Sequence, residues 1–340
     1  MPIDPREFRP QRILLIQLRA MGDVVLTTPV FRVLKRRYPE ARIDFVTQSA
    51  IAELLASDPH LHQVIPYPYV PQDVPGAIRF ALGLRRNRYD VVIDFLGTPA
   101  TALMCLASRA PVRIGYNLRV RRLAYTHYDQ DYPGAVYNPL AKFSLILPLG
   151  INDAETRTQI VVPQKAREWA VEQFRELGLD GRSLIAISPC AQAPARRWLP
   201  GRFAEVADWL QDNGFGVVYT WGPGERDYVK NVAAQQKNPA LLSAPTSLPQ
   251  LAALLERCRL LLCNCTGTKH VAVAVGTPTL TIFGPSDPRV WQPPDDPRHR
   301  YLRSDVDCIT CGKDDCPDPK CMTAISASQV IQVIREMTAG

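Results

Sequence analysis

The sequence predicts an α/β protein built on parallel sheets. Short apolar runs alternate with amphipathic stretches of helical length along the whole chain. The alternation restarts near residue 184, and 340 residues with 46% hydrophobic and 21% charged content suit two globular domains. Strand–helix alternation makes the strands parallel, because each crossover returns the chain to the same sheet edge.

The elements follow in order. Ile13–Leu18 is apolar with one polar interruption, long enough for a buried strand and too short for a helix. Ala20-Met21-Gly22-Asp23 ends it. Val24–Arg37 follows as a helix, apolar at Val24, Val25, Phe31, Val33 and Leu34. It closes on Lys35-Arg36-Arg37, cations suited to the negative end of a helix dipole. Further strands are predicted at Ile43–Thr47, Val64–Pro66, Val91–Phe95 and Val112–Gly115, then at Leu184–Ser188, Val217–Thr220, Leu260–Cys263 and Thr279–Phe283. Helices are predicted at Ile51–Ser57, Gly76–Asn87, Thr101–Ala107, Ala166–Leu177, Gly201–Asn213, Arg226–Gln236, Leu248–Arg257 and Ala327–Met337. Pro163 and Gly178 punctuate the restart. The domains are therefore drawn at 1–162 and 163–340, both Rossmann-like, with the active site expected in the cleft between them. Pro285–Pro319, rich in Pro and Asp, is an ordered loop excursion.

No apolar run reaches the length of a spanning helix, and the charged, Pro-rich start MPIDPREFRPQR has no secretory core. A cytoplasmic protein is expected. The net charge of +7 lies wholly in the first half: residues 1–150 hold 19 Lys and Arg against 12 Asp and Glu, the rest 21 against 21. Lys35-Arg36-Arg37, Arg85-Arg86-Arg88 and Arg119-Arg121-Arg122 carry much of it. Some are solvated helix ends; together they suit an anionic partner such as a membrane surface or phosphorylated acceptor. Neither a nucleic-acid-binding strand nor a finger spacing is present, so nucleic acid is not expected.

Asp23 falls where the first predicted strand meets a helix, the edge at which open α/β sheets bind ligands. A lone Asp there is more commonly an N-cap than a general base. Three loops follow strands in the second half. Ser188–Trp198 ends in Arg196-Arg197-Trp198, a pair of cations able to clamp phosphate. Trp221-Gly222-Pro223-Gly224-Glu225 ends in an acid that can hold a ribose or cap the next helix. Asn264-Cys265-Thr266-Gly267-Thr268-Lys269-His270 opens a helix whose free amides attract phosphate, with donors on Thr266, Thr268 and Lys269. His270 is a packing residue or a ligand contact. Neither GxGxxG nor a Walker A pattern occurs, against a dinucleotide dehydrogenase or a P-loop enzyme.

The order MGDVVLTTP, SPCAQAPARRW, GPGE and NCTGTKHVAVAVGTPTLTIFGPSDP resembles bacterial glycosyltransferase family 9, the ADP-heptose:lipopolysaccharide heptosyltransferases, over nearly the whole chain. The resemblance implies the GT-B fold, two Rossmann-like domains facing across a cleft, with a final helix returning toward the first. It implies inverting transfer of a heptose or related sugar from an ADP-sugar to an anionic glycolipid of the lipopolysaccharide inner core. The enzyme would sit peripherally at the cytoplasmic face of the inner membrane and need no cofactor for catalysis. Carried over, Asp23 of Met21-Gly22-Asp23 is the base on the acceptor side. Arg196, where Lys is usual, approaches the donor phosphates beside Arg197, and Glu225 lies near the nucleoside. Thr266, Gly267 and His270 form the diphosphate turn, with Lys269 an added cation. The family's acid before the Thr-Gly pair, linked to sugar recognition, is here Cys265. That departure motivates a second reading, a catalytically degenerate member that binds sugar nucleotide or glycan.

Of nine cysteines, Cys308, Cys311, Cys316 and Cys321 fall within fourteen residues. Four thiols so spaced suit either a structural zinc or iron site or plain reduced thiols; a catalytic metal is not expected, since four thiolates leave no open position.

Overall fold

The computed structural model describes residues 4–68, 70, 73–129, 134–294, 296–308 and 310–339. The chain divides into two compact units, Met1–Val161 and Val162–Gly340. The first runs β1 (Arg12–Ile16), α1 (Met21–Val25), α2 (Thr28–Arg37), β2 (Arg42–Gln48), α3 (Ser49–Leu55), β3 (Gln63–Tyr67), α4 (Val74–Leu84), β4 (Val91–Asp94), α5 (Pro99–Ser108), β5 (Val112–Tyr116), β6 (His127–Asp129) and α6 (Asn138–Ser144). Its strands pair in parallel in the order β3-β2-β1-β4-β5-β6. The second runs α7 (Gln164–Glu176), β7 (Leu184–Ser188), α8 (Pro200–Asp212), β8 (Gly216–Tyr219), α9 (Arg226–Ala233), α10 (Leu248–Glu256), β9 (Leu260–Asn264), α11 (Gly267–Val275), β10 (Thr279–Phe283), α12 (Pro288–Trp291), β11 (His299–Arg303), α13 (Lys320–Thr323) and α14 (Ala327–Thr338). Its strands are also parallel, ordered β11-β10-β9-β7-β8.

The central strands read as unbroken apolar runs because helices cover both faces of a parallel sheet. Ile13–Ile16 and Val91–Ile93 are fully buried, as are Ile185–Ile187 and Leu261–Cys263. The edge strands β6 and β11 lack that signature, since His127-Tyr128-Asp129 and His299-Arg300-Tyr301-Leu302-Arg303 are half open to water.

The helix expected at Val24–Arg37 is two helices. Pro29 has no amide to continue the ladder, and α2 starts afresh around it. Thr27 Oγ1 donates to the Asp23 carbonyl at 2.8 Å and Thr28 Oγ1 to the Val25 carbonyl at 2.8 Å, satisfying acceptors that the break leaves open. Asp23 therefore lies inside the first turn of α1, not before a long helix. The apolar face of the final helix packs within its own unit. Val330, Val333 and Ile334 join the core with Phe203 and Leu210, and α14 packs on α8.

One close approach sets the carboxyl end of the first sheet. Gly115 in β5 lies under the Tyr125 ring, where an added Cβ would stand 2.4 Å from Tyr125 Cζ. Tyr125 donates its hydroxyl to Asp94 Oδ2 at 2.7 Å, while Asp94 Oδ1 accepts the Leu96 and Gly97 amides at 2.9 Å. Gly115→Ala is expected to displace the ring and cost roughly 1–3 kcal/mol through overpacking, read as a lower urea midpoint.

Candidate active site

Asp23 opens onto a cavity of about 400 Å³ in the first unit, lined also by Gln17, Phe95, Tyr116, Asn138 and Lys142. Its Oδ2 accepts the Ala20 amide at 3.3 Å, so it caps α1 from within the helix. Met21 and Gly22 form the turn that aims it, Gly22 buried and Met21 half-buried. The residue that sequence reasoning missed is Lys142 on α6. Its ammonium is buried, 4.0 Å from Asp23 Oδ1, and donates to Gln17 Oε1 at 2.6 Å. Gln17 is fixed in turn by donating to the Arg19 carbonyl at 2.6 Å. Burial pulls the Lys142 pKa down to about 8, with Asp23 and Asp94 holding it back. Asn138 Oδ1, also buried, has no hydrogen-bond partner among the described residues. A carboxylate beside a buried cation, facing a cavity, can take a proton from a hydroxyl.

In the second unit the three loops after β7, β8 and β9 are tied together by two side chains. Asn264, the buried last residue of β9, accepts the Trp198 amide at 3.0 Å and donates to the Pro189 carbonyl at 2.7 Å. The Glu225 carboxylate stands near the Cys190 thiol, and burial followed by that carboxylate pushes the thiol pKa up. A polar residue closing an apolar strand was the available signal for Asn264. Glu225 Oε2 also accepts the Gly222 amide at 2.8 Å and so closes the Gly-Pro-Gly turn.

The cations of the first loop are already engaged. Arg196 Nη2 meets Asp314 Oδ1 at 2.7 Å, while its Nε is buried without a partner among the described residues. Arg197 donates Nε to the Ala191 carbonyl at 2.8 Å and lies 4.6 Å from the centroid of the Tyr228 ring. Thr266 is the N-cap of α11 with no side-chain cap bond, so the first-turn amides from Gly267 onward stay open. Thr266 Oγ1 and His270 Nδ1, one turn apart, likewise lack partners among the described residues. Burial, reinforced by Lys269, holds the His270 pKa well below the ordinary value, so the ring is neutral at pH 7. Thr268 is half-buried on the same turn.

Lys269 corrects the sequence reading. It is fully buried, donates to the Trp291 carbonyl and lies 5.0 Å from the centroid of the Phe283 ring. Its side chain points into the core because α11 packs that face on β9 and β10, so it adds no cation at the turn.

Cys308 and Cys311 are exposed, Cys316 is half-buried and Cys321 is buried. Burial, then Cys308, Cys311 and Cys316, push the Cys321 thiol pKa up. Among the described residues no group of three or more His, Cys, Asp or Glu side chains is arranged to hold a metal ion.

The sequence model of "Glycosyltransferase family 9 (heptosyltransferase)" matches residues 77–322. Lipopolysaccharide heptosyltransferase 3 of Escherichia coli K12 is 28% identical over 289 residues, 81% of this chain and 83% of that protein. A family 9 glycosyl transferase from Veillonella parvula superposes with a TM-score of 0.85 at 25% identity, covering 96% of this chain and 97% of that one. E. coli ADP-heptose lipopolysaccharide heptosyltransferase II gives a TM-score of 0.80 at 22% identity, covering 96% and 98%.

The Lys142 pKa has a signed consequence. A lysine depressed from 10.5 to about 8 destabilises the fold fully below pH 8, and that penalty fades as pH rises to 10.5. Lys142→Met removes the titration. The stability of the variant minus that of the wild type is therefore expected to fall between pH 8 and pH 10.5. Denaturation of both proteins at pH 7 and pH 10 measures it.

Proposed function

The chain belongs to glycosyltransferase family 9, a GT-B enzyme family, and from that premise we propose that it transfers a heptose from ADP-heptose to the inner core of lipopolysaccharide. The observation that carries the chemistry is Asp23 held beside buried Lys142 in a cavity of the first unit. The relative and the neighbour described above are named for lipopolysaccharide and ADP-heptose, which supports the choice of donor and acceptor.

These placements support the following reaction. Asp23 takes the proton of an acceptor hydroxyl as the oxygen attacks the anomeric carbon, with inversion there. Lys142 faces that carboxylate from 4.0 Å and places a positive charge beside it. On the donor side the open amides of α11, Thr266 Oγ1 and Arg196 receive the diphosphate as negative charge grows on it. Preorganised donors stabilise a leaving group most at that moment. Reaching the diphosphate requires Arg196 to exchange Asp314 for phosphate. Arg197 supports the loop, and Glu225 stands at the nucleoside end. His270, being neutral, contributes a hydrogen bond and no charge. The chemistry uses no metal and no cofactor, and the enzyme works peripherally at the cytoplasmic face of the inner membrane.

Cys265 favours a second reading, a binding protein without turnover, because a thiol replaces the acid linked to sugar recognition. The two part in one experiment. Asp23→Asn is expected to lower transfer about 10²–10⁴-fold while ADP-heptose still raises the melting temperature as it does for wild type. Wild-type turnover in the variant removes Asp23 as the base. Thermal stabilisation by ADP-heptose with no turnover in the wild type establishes the second reading. Stabilisation by a different nucleotide sugar in a panel overturns the donor assignment.

A further inference from the structure

The first unit leaves apolar side chains in water on three neighbouring elements. On α4, Val74, Ile78 and Leu82 recur every four residues as one stripe, 63%, 42% and 55% exposed. On α5, which packs against α4, the outward side chains are Pro99, Leu103 and Leu106. The turn 119–124, packed on α5, exposes Val120 and Leu123 almost fully. Exposed apolar side chains clustered on neighbouring elements mark an interaction surface.

Its surroundings are predominantly positive, although the exposed carboxylate of Asp73 caps α4 beside Val74. Residues 74–124 contain nine arginines and two acids. Both acids are used: Asp94 is buried among amides, and Asp90 accepts the Gln11 and Arg12 amides at 2.7 and 2.8 Å. Arg85, Arg86, Arg88 and Arg109 line a cavity of about 620 Å³ with Leu82, and none of the four has an ion pair among the described residues. Arg88, Arg109 and Arg119 have φ of 49°, 56° and 33°. Arg88 and Arg109 end helical turns at positions where glycine is the unstrained choice. The chain keeps arginine there against local backbone preference.

We propose that this face, α4, α5 and the turn 119–124, docks the enzyme on an anionic phospholipid membrane. Exposed aliphatics enter the headgroup boundary while the arginines, the cavity-lining four foremost, receive lipid phosphates. A second copy of the chain is disfavoured, because a two-fold contact would set the same arginines against themselves. The surface also leads to the site. Asn117 and Leu118 line the Asp23 cavity and run directly into the turn, which is pinned by Arg121 Nη1 donating to the Gly97 carbonyl at 2.8 Å. The inference deepens the proposed function and rests on its lipid-borne acceptor.

The test is co-sedimentation of the whole protein with phosphatidylcholine vesicles, with and without phosphatidylglycerol. Binding is expected only with phosphatidylglycerol, and to weaken as salt rises. Arg88→Gly/Arg109→Gly is expected to fold at least as stably as wild type and to bind about 30-fold more weakly, roughly fivefold for each arginine. Ile78→Ser/Leu82→Ser is expected to weaken binding while staying folded. Turnover of a deacylated, water-soluble acceptor reports on the reaction separately, and all variants should retain it. No binding to the anionic vesicles, or binding unchanged in both variants, overturns the surface even if soluble turnover is intact. A dimer seen by light scattering that Ile78→Ser/Leu82→Ser dissolves, with no vesicle binding, shows that a second copy covers the face instead. Vesicle binding without soluble turnover leaves the surface standing and removes the proposed reaction.

Discussion

Parallel pairing is the constraint on which everything else in this molecule depends. When all strands of a sheet run one way, their carboxyl ends gather on one edge, and the loops leaving that edge must end their own backbone bonds somewhere. Each unit solves this with a buried polar residue at the end of a central strand. Asp94 closes β4 and gathers two amides and the Tyr125 hydroxyl; Asn264 closes β9 and grips the loop after β7 from both sides. The strands lie within apolar layers, so these polar ends are dry and their partners are not exchanged for water. Loop geometry is thereby made as rigid as the sheet.

Burial also shapes the charges. Lys142 and Lys269 are both taken out of water, yet they differ in what they face. Lys142 looks onto a carboxylate and an amide oxygen in an open cavity, while Lys269 is closed in by a carbonyl and an aromatic ring. A buried cation beside a carboxylate is costly unless geometry is fixed. The chain of bonds from the Arg19 carbonyl through Gln17 to Lys142 supplies that fixity.

The central strands were legible because a run buried on both faces must be apolar. The edge strands β6 and β11 were not, since half their residues face water and read as loop. Asp23 was legible from its place between strand and helix. Lys142 was not: 119 positions separate the two, and nothing local in Asn138–Ser144 announces which residue turns inward. The misplaced Lys269 has the same origin. Its neighbours in the turn suggest phosphate, but the direction of a side chain on the first turn of a helix is decided by what packs beneath it. Pro29 marks the break between α1 and α2, but the apolar spacing on either side of it reads as one helix.

Trp198 joins two places that are far apart in sequence. Its amide is held by Asn264, and its buried indole donates to the Ile325 carbonyl at 3.0 Å, just before α14; Arg202 donates to the Thr323 carbonyl at 2.7 Å beside it. The loop that carries Arg196 and Arg197 is thus locked from a segment made more than a hundred residues later. During synthesis the Trp198 indole lacks its acceptor until Ile325 has cleared the ribosome, while Asn264 already holds the loop. The loop therefore gains its full anchorage only once the segment around Ile325 is made, not as the sheet of the second unit first forms.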